Sequence, residues 1–163
     1  MSVLTVTRKI ASPVADVWSV LDDFGGVHRF GAGIESSPII NGSPSRGVGA
    51  ERACALYDGN YINERVTASV ENRRLSIEVF DTSMPIKRAD ATFAIAPVAG
   101  GGTTVTMTMD YVVKYGPMGL AMDVLMMRGM MKKNLDNLLA GLEQHLLSGE
   151  TVGQGWTPEA VVA

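Results

Sequence analysis

The stretch TVTMTMDYVVKYGPMGLAMDVLMMRGMMKKNLDNLLAGLEQHL, residues 104–146, changes its hydrophobic period partway along. Its first ten residues put Val105, Met107, Met109 and Tyr111 on one side of an extended chain and Thr104, Thr106, Thr108 and Asp110 on the other. That alternation is the period of a strand with one covered face. Gly116-Pro117 breaks it. Leu120, Val124, Met127, Met131, Leu135, Leu138, Leu142 and Leu146 then recur every three or four residues, the apolar stripe of a helix about thirty residues long. Gly149 suits a helix stop, while Gly129 and Gly141 weaken the helix locally. A one-faced strand followed by a one-striped helix predicts a helix laid over a sheet.

Upstream, period two continues in pieces. Candidate strands run over Ile34–Ile40, Val48–Leu56, Tyr61–Val70, Arg74–Phe80, Arg88–Ala96 and Thr104–Val113, separated by turn residues such as Asp58-Gly59-Asn60 and Gly100-Gly101-Gly102. Short runs with turns between them describe an antiparallel meander. Three pairings put the apolar sets on one face: Leu56 opposite Ile62 with Cys54 opposite Glu64, Val70 opposite Leu75 with Val66 opposite Val79, and Ile95 opposite Val105 with Phe93 opposite Met107. The other face carries Glu51, Arg65, Ser69, Glu78, Asp90 and the threonines of the last strand. Small residues on the covered face, Ala50, Ala68, Ala89 and Ala91, either admit the helix closely or leave a void.

Val3–Ile10 alternates as a first strand. Ser12-Pro13 reads as an N-cap followed by a first-position proline, and Val14, Val17, Trp18 and Leu21 form a short helical stripe ending near Phe24. The segment Ile10-Ala11-Ser12-Pro13-Val14-Ala15-Asp16-Val17-Trp18, with Leu21-Asp22-Asp23-Phe24-Gly25 after it, resembles the opening of the polyketide cyclase/dehydrase-like branch of the START and birch-pollen-allergen (SRPBCC) superfamily. The likeness runs from about Val3 to Leu147. It implies an α+β helix-grip fold, in which a curved antiparallel seven-stranded sheet wraps a long C-terminal helix, with short helices after the first strand. One domain over 1–148 is expected, with 149–163 as a flexible tail that includes Trp156.

Composition sets outer limits. The chain has 163 residues, 46% apolar and 19% charged, with a net charge of −3. That is one globular domain without a general nucleic-acid footprint. One cysteine and two histidines argue against a disulfide framework and a structural zinc site. Residues 118–131 are greasy but carry Asp123 and Arg128, and a membrane span needs about 20 apolar residues. Met1–Ile10 alternates instead of forming an apolar signal core, so a cytoplasmic location is expected. No cofactor or metal is expected.

The resemblance implies a cavity for lipids, hormones, polyketides or aromatic metabolites. The lining expected from the covered face is Arg52, Glu64, Val66, Ile77, Phe93, Met107, Met109 and Tyr111, with Met122 and Met126 from the helix. Arg52 and Glu64 fall diagonally on neighbouring strands of that face. They are either an ion pair fixing register or an anchor for a ligand carboxylate, enolate or phenolate; a register slip would put both in water. Tyr111 either orients a ligand or bonds a backbone carbonyl in the core. His28 is a candidate general base near the cavity mouth or a surface residue, and His145 is a helix-end cation. Cys54 reads as a small hydrophobe. Ten methionines against four phenylalanines suggest a pliable wall, and Met122, Met126 and Met130 lie off the main stripe, where a pocket, a gate or a homodimer surface are all open.

Three functions compete at this point. The first is a binding module for a small hydrophobic or aromatic metabolite. The second is a polyketide cyclase or dehydratase, with catalytic candidates Arg52, Glu64, Tyr111 and His28. The third is a protein-interaction role for the methionine surface.

Overall fold

The computed structural model describes residues 2–158. β1 (Ser2–Ile10) leads into α1 (Val14–Asp22) and a 3-10 turn (Phe24–Arg29). Then come β2 (Ile34–Ser36), β3 (Glu51–Leu56), β4 (Tyr61–Val70), β5 (Arg74–Thr82), β6 (Ile86–Pro97) and β7 (Thr103–Val113). The chain closes with α2 (Gly116–Met122), a π-helical turn (Asp123–Met127) and α3 (Arg128–Ser148), which follow one another without a break. The sheet is antiparallel, ordered β1-β7-β6-β5-β4-β3-β2, and it curves around the C-terminal helix in a helix-grip fold. No helix among the described residues is long and apolar enough to cross a membrane.

The covered face holds the core. Val66, Leu75, Ile77, Phe93, Ile95, Val105 and Met107 are buried from the sheet, Val17, Trp18 and Leu21 from α1, and Leu135, Leu139 and Leu142 from α3. Each such side chain contributes about 1.5–3 kcal/mol of transfer free energy. The β6–β7 pairing is the expected one, with Ile95 opposite Val105 and Phe93 opposite Met107. The other two registers differ from expectation. In β3–β4, Cys54 pairs with Ile62 and Arg52 directly with Glu64. The shift is two residues, so every side chain keeps its face. In β4–β5, Asn72 takes a left-handed conformation, Val70 pairs with Arg74, and after an irregularity between Val66 and Ala68, Val66 stands opposite Ile77 instead of Val79. A local bulge thus turns Ser69 toward buried Leu75 and leaves Val70 exposed, the reverse of the expected faces.

Other boundaries shift for local reasons. β2 stops at Ser36, and only the isolated bridge Ile39–Arg52 continues it. β3 starts at Glu51 because Gly47 and Gly49 have positive φ, which an extended strand excludes. α1 begins at Val14 with Pro13 at the cap position, and Ser12 makes no capping bond. Gly149 ends α3 in the left-handed conformation, its N–H on His145 O, as a helix stop should. His145 Nδ1 itself lies 2.6 Å from Glu150 O.

The inward positions of the C-terminal helix are Gly119, Asp123, Met127, Met131, Leu135 and Leu139, spaced by four. Leu120 and Val124, expected on the stripe, are exposed at 51% and 74%. The π-helical turn is the cause: Arg128 N–H reaches Asp123 O, five residues back, and the widened turn rotates the preceding residues out of the 3.6-residue phase. Gly141 is a close-approach position. A Cβ there would lie 2.1 Å from Phe30 O, so the glycine lets the 3-10 segment touch α3. Beyond Gly149, Val152 is buried and donates to Arg29 O at 2.8 Å, and Trp156 is partly buried. The end of the expected tail, 159–163, lies outside the described residues.

Candidate functional site

A cavity of about 470 Å³ opens between the sheet and the C-terminal helix. Ile62 and Glu64 of β4, Val79 of β5, Ala89 of β6, and Met107 and Met109 of β7 form its sheet wall. Met127 of the π-helical turn and Met131, Leu135 and Leu138 of α3 form the opposite wall. Gly31–Ile34, Leu56, Tyr57 and Asp58 border it from the β2 side, with Thr82, Met84 and Ile86 at the other end and Met130, Asn134 and Asn137 along the helix. Ala89 faces the helix with a small side chain, one physical reason a gap exists there. The thioether walls suit irregular apolar shapes.

Glu64 is the polar feature of the sheet wall. Arg52 Nε donates to Glu64 Oε2 at 2.6 Å, and Nη2 lies 2.5 Å from the same oxygen. Arg52 Nη1 donates to Phe24 O at 2.9 Å, and its guanidinium stacks 3.9 Å from the Phe24 ring centroid. Arg52 is buried, and each of its guanidinium nitrogens meets Glu64 or Phe24. It therefore does not border the cavity, and the expected anchor for a ligand anion is a clamp on Glu64 instead. Glu64 Oε1 has no hydrogen-bond partner among the described residues, and Glu64 borders the cavity. Among the described residues the lining contains two carboxylates, Glu64 and Asp58, and no lysine, arginine or histidine. At the rim, the Asn60 N–H bonded to Asp58 holds that carboxyl below its ordinary range.

The remaining expected residues scatter. Met107 and Met109 line the cavity with Glu64. Val66, Ile77 and Phe93 are buried in the core away from it, because the sheet wall lies nearer the other end of their strands. Met122 and Met126 are exposed, rotated outward ahead of the reset helix phase. Tyr111 is fully buried and donates its hydroxyl to Asp123 Oδ1, while Ser2 Oγ donates to Asp123 Oδ2 at 2.6 Å. Burial, then the Asp123 carboxylate, pushes the Tyr111 hydroxyl up to about 12. Its partner is a side-chain carboxylate and not a backbone carbonyl. His28 sits outside the cavity lining: its Nδ1 lies 2.7 Å from Ser37 Oγ, which donates to Gly25 O. Since Ser37 spends its proton on Gly25, Nδ1 must be the donor to Ser37. Cys54 is buried, and desolvation followed by the Glu64 charge pushes its thiol up to about 12.

Sequence reasoning missed Asp123 as a structural centre. The signal was present: a lone carboxylate in an apolar run, which is costly to bury unless hydroxyls meet it. Among the described residues no cluster of side chains could hold a metal ion.

The fold and the gap under its helix define a START-like helix-grip protein. Residues 1–146 match the family described as polyketide cyclase / dehydrase and lipid transport, and the chain belongs to that family. A protein of Thermus thermophilus superposes with a TM-score of 0.75 at 20% identity, covering 91% of this chain and 99% of that one. A START superfamily protein from Mycobacterium smegmatis gives 0.69 at 17% identity, covering 89% and 97%. A Thalictrum norcoclaurine synthase point mutant, solved with a transition-state analogue, gives 0.68 at 15% identity, covering 91% and 95%. No curated protein matches the chain.

Proposed function

We propose that the protein binds a small hydrophobic or aromatic molecule in the cavity under the C-terminal helix, with a hydrogen-bond donor of that molecule directed at Glu64. The observation that carries the reading is the half-used Glu64 carboxylate. Arg52 holds one oxygen and leaves the other without a partner among the described residues, on a side chain that borders a cavity lined mostly by methionine, leucine, isoleucine, valine and alanine. Such a site is concave and mostly apolar with a few placed polar groups, Glu64 in the sheet wall and Asp58, Asn134 and Asn137 at its borders. A hydroxyl, phenol or amine suits it. A ligand carboxylate suits it less, because no cationic side chain among the described residues borders the cavity. Binding needs only residues of 1–148, which we take as one domain.

Turnover of a polyketide-like substrate by cyclisation or dehydration is the second reading. The same Glu64 oxygen supports it, as an acceptor for a proton leaving a bound carbon acid or hydroxyl. Tyr111 and His28 supply no partner there, since both are bonded elsewhere.

Native mass spectrometry of freshly purified protein, compared with the same sample after denaturation and extraction, tests the binding reading. The expected result is a small neutral or amine-bearing apolar molecule that leaves on unfolding. A co-purified fatty acid or other anion would overturn the role given to Glu64.

A further inference from the structure

At the start of the C-terminal helix an apolar surface stands in water. Met118, Met122, Val124, Leu125, Met126 and Met130 are all exposed, Leu125 at 80%. Tyr115 adds an exposed ring just before α2. Isolated apolar residues on a surface mean nothing, but a contiguous run on one helix marks a contact site.

The charge around this run identifies its occupant. Between Val112 and Leu135 the acidic residue is Asp123, which is buried against Ser2 and Tyr111. Lys114, Arg128, Lys132 and Lys133 in the same stretch are exposed. Lys132 meets Asp136 at 3.9 Å, an exposed pair of little strength. Lys114 also shares a shallow concavity of about 140 Å³ with Lys87 and Arg88; Asp81 lines it too, and Arg88 lies 3.8 Å from Asp90. The chain as a whole carries −3, so this basic rim is local. A second copy is a poor cover, because a two-fold interface sets the same basic rim against itself. An apolar helix face with a basic border fits an anionic bilayer: the side chains enter the acyl boundary and the cations meet the headgroups. The ring of Tyr115 is of the type that settles at headgroup level.

We propose that residues 115–130 dock on an anionic lipid surface. Met130 belongs both to this face and to the border of the cavity, with Met127 and Met131 beside it. Docking therefore brings the cavity border to the bilayer. This reading needs the exposed helix and its cations, and it holds whether or not Glu64 binds a ligand.

Co-sedimentation of the full chain with vesicles of phosphatidylcholine and phosphatidylglycerol, in roughly equal parts, tests it against vesicles of phosphatidylcholine alone. Binding is expected on the mixed vesicles, weakened about tenfold or more at about 0.5 M salt, where screening is strong. A Leu125→Gln, Met126→Gln variant should bind about tenfold less or worse while unfolding at the same temperature, since both side chains are in water. A Lys132→Gln, Lys133→Gln variant should lose affinity for the anionic vesicles. No binding to mixed vesicles at low salt, or unchanged binding by both variants, overturns the proposal. So does a dimer in sedimentation velocity that Leu125→Gln, Met126→Gln dissociates, because a second copy would then cover the face.

Discussion

Arg52 and Glu64 stand directly opposite each other on β3 and β4, and both Nε and Nη2 of the arginine meet one carboxylate oxygen. The pair is largely desolvated, with side-chain exposures of 7% and 15%. Removing one partner leaves the other charge in an apolar wall, which typically costs about 3–5 kcal/mol. Arg52→Met should therefore lower stability by about 3 kcal/mol in urea unfolding. The double variant Arg52→Met, Glu64→Leu should be more stable than Arg52→Met alone. Additive losses would mean that the two charges are not coupled.

Glu64→Gln tests the site, but it also leaves the buried Arg52 without its counter-charge, so affinity is read on protein shown to be folded by its thermal unfolding curve. The amide keeps the shape and one acceptor but loses the charge facing the cavity. Affinity for the co-purified ligand, measured by titration calorimetry, should fall about tenfold to a hundredfold, in line with one charge-assisted hydrogen bond of about 1.5–3 kcal/mol. Unchanged affinity would take Glu64 out of the binding site.

Two helix glycines should respond with opposite signs. Gly129→Ala meets nothing within 4 Å and should stabilise the protein by up to about 1 kcal/mol through helix propensity. Gly141→Ala puts a methyl 2.1 Å from Phe30 O and should destabilise it despite the same propensity gain. Thermal unfolding of both variants reads the difference. A stabilised Gly141→Ala would show that the 3-10 segment is free to move off α3.

Alkaline stability should depend on Tyr111. Its hydroxyl titrates near 10 when unfolded and is pushed up to about 12 in the folded protein. The folded state thus binds this proton more tightly, so the contribution is full below pH 10 and is lost as pH rises toward 12. In Tyr111→Phe, stability should fall less steeply over that window. At neutral pH the variant should be weaker than the parent, since Asp123 Oδ1 loses its donor.

The Cys54 thiol should be inert in the folded protein. Pushed up to about 12 by burial and by Glu64, it is almost wholly protonated near pH 8, and the thiolate is the reactive form. A colorimetric disulfide reagent should label it only on unfolding. Rapid labelling of the native protein would reveal opening of β3 from its neighbours.

The alternation of Val105 to Tyr111, the leucine stripe after Leu135 and the turn residues between strands specified a one-faced antiparallel sheet under a long helix. Those features are local: side-chain period, propensity and turn chemistry act within a few residues. They also put Arg52, Glu64 and Cys54 on the covered face, because a register error of two residues leaves the face unchanged. Three things were decided only by contacts between residues far apart in the chain. The bulge between Val66 and Ala68 depends on how β4 meets β5, so Ser69 and Val70 exchanged faces. The π-helical turn follows the burial of Asp123 between Ser2 and Tyr111, which rotated Leu120, Val124, Met122 and Met126 into water. Arg52 became a clamp and Glu64 the group left to the cavity because Phe24, on a different element, supplied both a carbonyl and a ring for the guanidinium. Period and propensity name the face a side chain takes; the partner that uses its hydrogen bonds is chosen by tertiary packing.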